Sequence, residues 1–112
     1  IYDLLYRLGV TSNYTGFFHV ACGVQLCIER PERLLLVTKW LYPDIAKQYQ
    51  TTWQAVERNM RTVGAIIWEQ NRPLLEQLAR RPLNRKPSTA QLLSILSASL
   101  VRQNSRVLTA AE

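Results

Sequence analysis

Four polar side chains, Gln54, Glu57, Arg58 and Arg61, follow one another at spacings of three, one and three residues. At about 100° per residue this spacing turns all four toward the same side of a helix. Each has the donors or acceptors to bond a base edge. An arginine can donate two hydrogen bonds to guanine, a glutamate can accept from the cytosine amino group, and a glutamine can pair with adenine. The adjacent Glu57 and Arg58 suit a neighbouring C and G. A plainer role exists for the same residues, since Glu57 and Arg61 lie four apart and can form a solvated helix pair worth about 0.2–0.5 kcal/mol. The coincidence of this face with a helix-turn-helix pattern favours groove reading over the plain pair.

Just upstream, Lys47, Thr51 and Thr52 offer an ammonium, two hydroxyls and free backbone N–H groups, the chemistry that holds phosphates. Either threonine can also cap the helix that follows. Further along, Arg80, Arg81, Arg85 and Lys86 form either a solvated linker or a second phosphate contact.

The element that must present the four residues is a helix over about 53–70. On it Val56, Met60, Val63 and Ile67 fall within roughly 60° of one another and form a stripe to be buried opposite the polar face. A short helix over about 42–49, introduced by Pro43, precedes it across the polar Gln50-Thr51-Thr52 turn. Together, from about Leu41 to Trp68, these make a helix-turn-helix, the arrangement that lays its second helix in the major groove. Ala46 is small enough for the two helices to cross there.

The remaining sequence lacks sustained alternation and shows apolar residues three and four apart, so the expected fold class is all-α, a bundle of about six helices. The first helix covers about 1–8 and ends at Gly9 as a left-handed cap. The second, about 16–29, is apolar almost all round, with Phe17, Val20, Ala21, Val24 and Ile28 for the core. A third begins at or after Pro31 and carries Leu34, Leu35, Val37 and Leu41. After Asn71-Arg72-Pro73 a short turn is expected over 74–80, then the basic linker 81–87. A last helix over about 90–103, capped by Ser88 or Thr89, bears Leu92, Leu93, Leu96 and Leu100.

A length of 112 residues with 47% hydrophobic and 20% charged side chains suits one folded domain, 1–112, that needs no staples. The chain starts at Ile1, so it is expected to be a fragment of a longer protein. The net charge of +6 favours an acidic partner, and its excess lies almost wholly in residues 80–112, where Glu112 is the only acid. The longest apolar stretch, 16–28, is too short to span a membrane. Cys22 and Cys27 sit about 140° apart on their helix and are expected to be free thiols, which agrees with a bacterial cytoplasm.

Other chemistries find little support. A structural zinc wants four ligands, and the chain has one histidine and two cysteines. His19 and Cys22 have no third orienting group for nucleophilic catalysis. No phosphate loop, paired-carboxylate site or cofactor fingerprint is visible, so neither enzyme activity nor a cofactor is expected. Trp40, Trp53 and Trp68 fit helix packing better than base stacking.

The stretch LYPDIAKQYQTTWQAVERNMR closely resembles the helix-turn-helix in the C-terminal effector domain of the stage zero sporulation protein A family. The likeness extends from Leu8-Gly9-Val10 through Thr38-Lys39 and Leu41 to Ile45, and on to Lys86-Pro87-Ser88 at the start of the last helix. The resemblance implies a six-helix fold that regulates transcription by binding promoter boxes with a TGTCGAA-like core. It also implies an upstream phosphorylatable receiver domain, tandem domains on adjacent boxes and contact with RNA polymerase. By resemblance Glu57 and Arg58 stand where the family contacts bases, and Arg61 at a basic recognition-helix position. Two positions depart, with Ala55 where the family has an arginine and Thr62 where it has a histidine. Ala55 leaves room for a rival reading, a protein-interaction module that kept the fold and lost specific DNA binding.

Overall fold

The computed structural model describes residues 1–111, with side chains described for 1–104. Its elements run α1 (Tyr2–Arg7), α2 (Thr15–Glu29), a 3-10 turn (Pro31–Leu35), α3 (Val37–Trp40), α4 (Tyr42–Gln48), α5 (Trp53–Ala79) and α6 (Thr89–Ala111). The fold is all-helical, as the spacing of apolar residues requires.

Local chemistry sets most of the helix ends. At the end of α1, Gly9 takes φ +98° while its N–H bonds to Tyr6 O and that of Val10 bonds to Leu5 O. These two bonds satisfy orphan carbonyls in a Schellman arrangement that glycine enters without a Cβ penalty. At the start of α6, Ser88 Oγ accepts from Gln91 N–H at 3.2 Å, and Gln91 Oε1 accepts from Ser88 N–H at 2.9 Å. This is a reciprocal capping box.

The core is built around α2, which packs against α4, α5 and α6. Phe17, Val20, Ala21, Val24 and Cys27 of α2 are buried with Ile45 of α4, Leu92, Leu93 and Leu96 of α6, and the α5 stripe Val56, Met60, Val63 and Ile67. The closest approach is at Gly16, where an added Cβ would lie 2.3 Å from the carbonyl oxygen of Asn59. At Gly23 the added atom would meet Met60 Cε at 2.9 Å and Ile45 Cδ1 at 3.3 Å. Glycine at these two positions lets α2 and α5 come together.

Four expectations need correction. The third helix is two pieces, a 3-10 turn and the single turn of α3, separated by Leu36 at φ −153°, ψ 79°. The break turns Leu35 outward to 79% exposure instead of into the core. Helix α5 does not stop before Asn71. It kinks there (φ −153°, ψ 57°) and continues to Ala79, because Asn71 Oδ1 accepts from Leu74 N–H and so caps a fresh start in which Pro73 sits in the first turn. The Asn71 Nδ2 group meanwhile donates to Arg7 O, tying the kink to the end of α1. Helix α6 runs past Gln103 to Ala111, since no glycine or proline interrupts it. Finally, Trp40 and Trp53 are exposed rather than packed inside, Trp40 as the last residue of α3 and Trp53 as the first of α5, while Trp68 is half-buried.

The two kinds of helical glycine should respond in opposite ways to alanine. Gly16→Ala should destabilise the fold by about 1–3 kcal/mol through overpacking against backbone. At Gly64 the added Cβ would stand 3.7 Å from Leu92 Cδ2, an ordinary contact. Gly64→Ala should therefore stabilise by about 0.4–1 kcal/mol by stiffening the unfolded chain. Urea titrations of both variants check the pair.

Candidate nucleic-acid interface

Helix α4 ends and α5 begins across a turn closed by backbone bonds. Thr51 N–H reaches Ala46 O at 2.9 Å, and Gln50 adopts φ +53° to allow it. Thr52 then caps α5, its Oγ1 accepting from Ala55 N–H at 3.2 Å. Beneath the turn, buried His19 of α2 meets the ring of Tyr49 edge-on, centroid to centroid 5.2 Å. Burial holds the His19 pKa below its ordinary value and so favours the neutral ring. Core and turn are thus in direct aromatic contact.

With the Val56–Met60–Val63–Ile67 stripe fully inside, Gln54, Arg58 and Arg61 face solvent, and Glu57 is half-buried at the edge of that face. Glu57 Oε1 accepts from Arg61 Nη2 at 2.8 Å, the pairing that i, i+4 spacing allows. This pair is exposed enough to be worth only a few tenths of a kcal/mol, about 0.3–0.5. It orients both side chains in the free protein and yields readily to a stronger partner. Thr62 turns its hydroxyl back onto Arg58 O at 3.1 Å.

The structure gathers these residues into two surface features along α5. Lys47, Thr51, Thr52 and Gln54 surround a shallow depression at its start, with Trp53 beside them. Glu57 and Arg61 line a larger cleft of about 640 Å³ further along. Arg58 stands exposed on the helix one turn after Gln54 and three residues before Arg61.

The far wall of the larger cleft is the loop before α6, which contributes Arg85, Lys86 and the capping Ser88. From spacing alone a plain solvated linker is the favoured reading of these basic residues, with a phosphate contact as the alternative. Their place opposite Arg61 makes them part of the same basic surface. What sequence reasoning missed is how the loop is held. Leu83 is buried, its N–H donates to Glu76 Oε2 at 2.6 Å, and its carbonyl accepts from Arg72 Nη2. The Arg72–Glu76 spacing of four was a signal for a helix pair, yet nothing in it pointed to a loop seven to eleven residues away.

The cysteines stand apart from this surface. Cys27 is buried in the core, and burial pushes its thiol pKa up to about 11 despite an opposing influence from Arg33. Such a thiol is a weak nucleophile and behaves as a small core hydrophobe.

A buried-stripe helix presenting a basic, solvent-facing side after a helix-turn-helix turn defines a DNA-binding domain of the transcription-regulator class. A family model described as "Sporulation initiation factor Spo0A C terminal" matches residues 1–100, and the chain belongs to that family. It is accordingly a DNA-binding effector domain of the response-regulator kind, from a regulatory rather than an enzyme family. No helix among the described residues is long and apolar enough to cross a membrane.

Removing the α5 cap gives a direct test of the turn. Thr52→Ala should lower stability by about 1 kcal/mol in chemical denaturation, whereas Thr52→Ser, which keeps an acceptor oxygen, should lose little.

Proposed function

We propose that this domain reads short promoter boxes with a TGTCGAA-like core by laying α5 in the major groove. Glu57 and Arg58 contact base edges, accepting from a cytosine amino group and donating to a guanine. Gln54 and Arg61 support them from either side. Lys47, Thr51 and Thr52 hold the phosphate backbone at the start of the helix, and Arg85 and Lys86 hold it across the larger cleft. The observation that carries this reading is the solvent-facing row of Gln54, Arg58 and Arg61 directly opposite a fully buried stripe.

Two features shape the specificity. The Glu57–Arg61 pair leaves the second carboxylate oxygen of Glu57 available, so the pair can persist while Glu57 accepts from a base. Ala55 lacks the reach of the family's arginine, so discrimination at one step of the box should be weaker by about 1–3 kcal/mol. Family membership also supports a longer protein of the bacterial cytoplasm in which an upstream phosphorylatable receiver domain controls this one. On the same ground, copies line up in tandem on adjacent boxes and touch RNA polymerase.

Arg58→Ala should cost about 1–3 kcal/mol of discrimination between a TGTCGAA-type and a scrambled duplex, read by fluorescence anisotropy. Retention of full discrimination would contradict the assignment. Wild-type affinity should fall with salt at a log-log slope of about −0.9 per neutralised phosphate. Salt-insensitive or absent duplex binding would point instead to a protein-interaction module.

A further inference from the structure

We infer that Arg72 and Glu76 are positioning residues for DNA binding: they grip the backbone of Leu83 from both sides and so hold Arg85 and Lys86 against the recognition helix. The inference rests on the proposed reading of the basic cleft.

Between Pro82 and Pro87 the only backbone groups hydrogen-bonded to other described residues are the N–H and C=O of Leu83. Both bonds go to side chains of α5 beyond its kink. Glu76 accepts from the N–H at 2.6 Å, and Arg72 donates to the carbonyl. The two side chains are themselves braced. Arg72 lies 4.3 Å over the Trp68 ring, and its Nε is 3.6 Å from Glu76 Oε1. The leucine side chain is buried beneath them. Both bonds to the loop involve a charged group, the stronger kind of hydrogen bond.

Only two residues separate this anchor from Lys86, and the next fixed point is the capping box at Ser88. Arg85 and Lys86 are therefore suspended between two anchors, opposite Arg61 in the cleft. Such bracing sets their position before DNA arrives and removes an ordering cost from binding. Releasing the anchor should return that cost.

The sign of the effect separates positioning from simple charge. Glu76→Ala removes a negative charge from a basic surface, so electrostatics alone would tighten DNA binding and steepen its salt dependence. Loss of the grip predicts the reverse. Measured by anisotropy with the full chain, Glu76→Ala should weaken binding to box and scrambled duplexes alike by roughly threefold to tenfold, with a shallower salt slope. The ratio between the two duplexes should be unchanged. Glu76→Gln, which keeps an acceptor oxygen, should restore affinity. Arg72→Lys keeps the charge and loses the planar fork, so it should reproduce the defect if Glu76→Ala folds poorly.

An Arg85→Ala/Lys86→Ala double variant distinguishes the two levels of the argument. If it weakens binding while Glu76→Ala and Arg72→Lys bind like wild type, the grip is overturned and the basic cleft stands. If it too leaves affinity and salt slope unchanged, the role of the loop in binding is overturned and the grip's role with it.

Discussion

The close contact between α2 and α5 is the constraint on which the rest of the structure depends. With no Cβ at Gly16, the backbone of α2 can lie against the carbonyl of Asn59, and Gly23, about two turns further along α2, makes room for the end of the Met60 side chain. Four residues of α5, Val56, Met60, Val63 and Ile67, are driven completely out of solvent by this contact. Burying that stripe leaves no freedom in how the helix is rolled about its axis. A roll of one residue, about 100°, would carry Arg58 to the flank and expose part of the stripe. The chemistry of the outer face is thus decided by packing on the inner one.

The same helix also organises the surface beyond its first half. At Asn71 it breaks and restarts, and one side chain serves both sides of the break by capping the new helical segment and bonding the end of α1. Past the kink, Arg72 and Glu76 reach the loop that carries most of the nearby positive charge. A single long element therefore presents the solvent-facing polar row, anchors the N-terminal helix and holds the basic loop. Coupling between these parts requires no moving device, only the rigidity of a helix with one well-capped kink.

Much of this was legible in the sequence because it follows from period and punctuation. The α5 stripe repeats at the helical interval, Pro43 and the Thr51-Thr52 pair mark helix starts, with Thr52 the one that caps, and Gly9 marks an end. The run Leu34-Leu35-Leu36 was less informative, since three adjacent leucines fit a helix or a break equally well. Only the tertiary fold, with Arg33 paired to Asp44 and donating at 3.0 Å to Trp40 O, reveals a 3-10 turn that leaves Leu35 outside. For the candidate site, the exposed polar row of α5 could be named from spacing, but its relation to Arg85 and Lys86 could not. It depends on two side chain to backbone bonds across a loop, and such contacts leave no periodic trace.

The most direct test is selection of bound duplexes from a random pool by the unmodified chain, followed by sequencing. If Glu57 and Arg58 read adjacent cytosine and guanine, the enriched sequences share a core built around a CG step, close to TGTCGAA and degenerate where Ala55 fails to reach. Recovery of no common core, or of one without a CG step, would contradict the account.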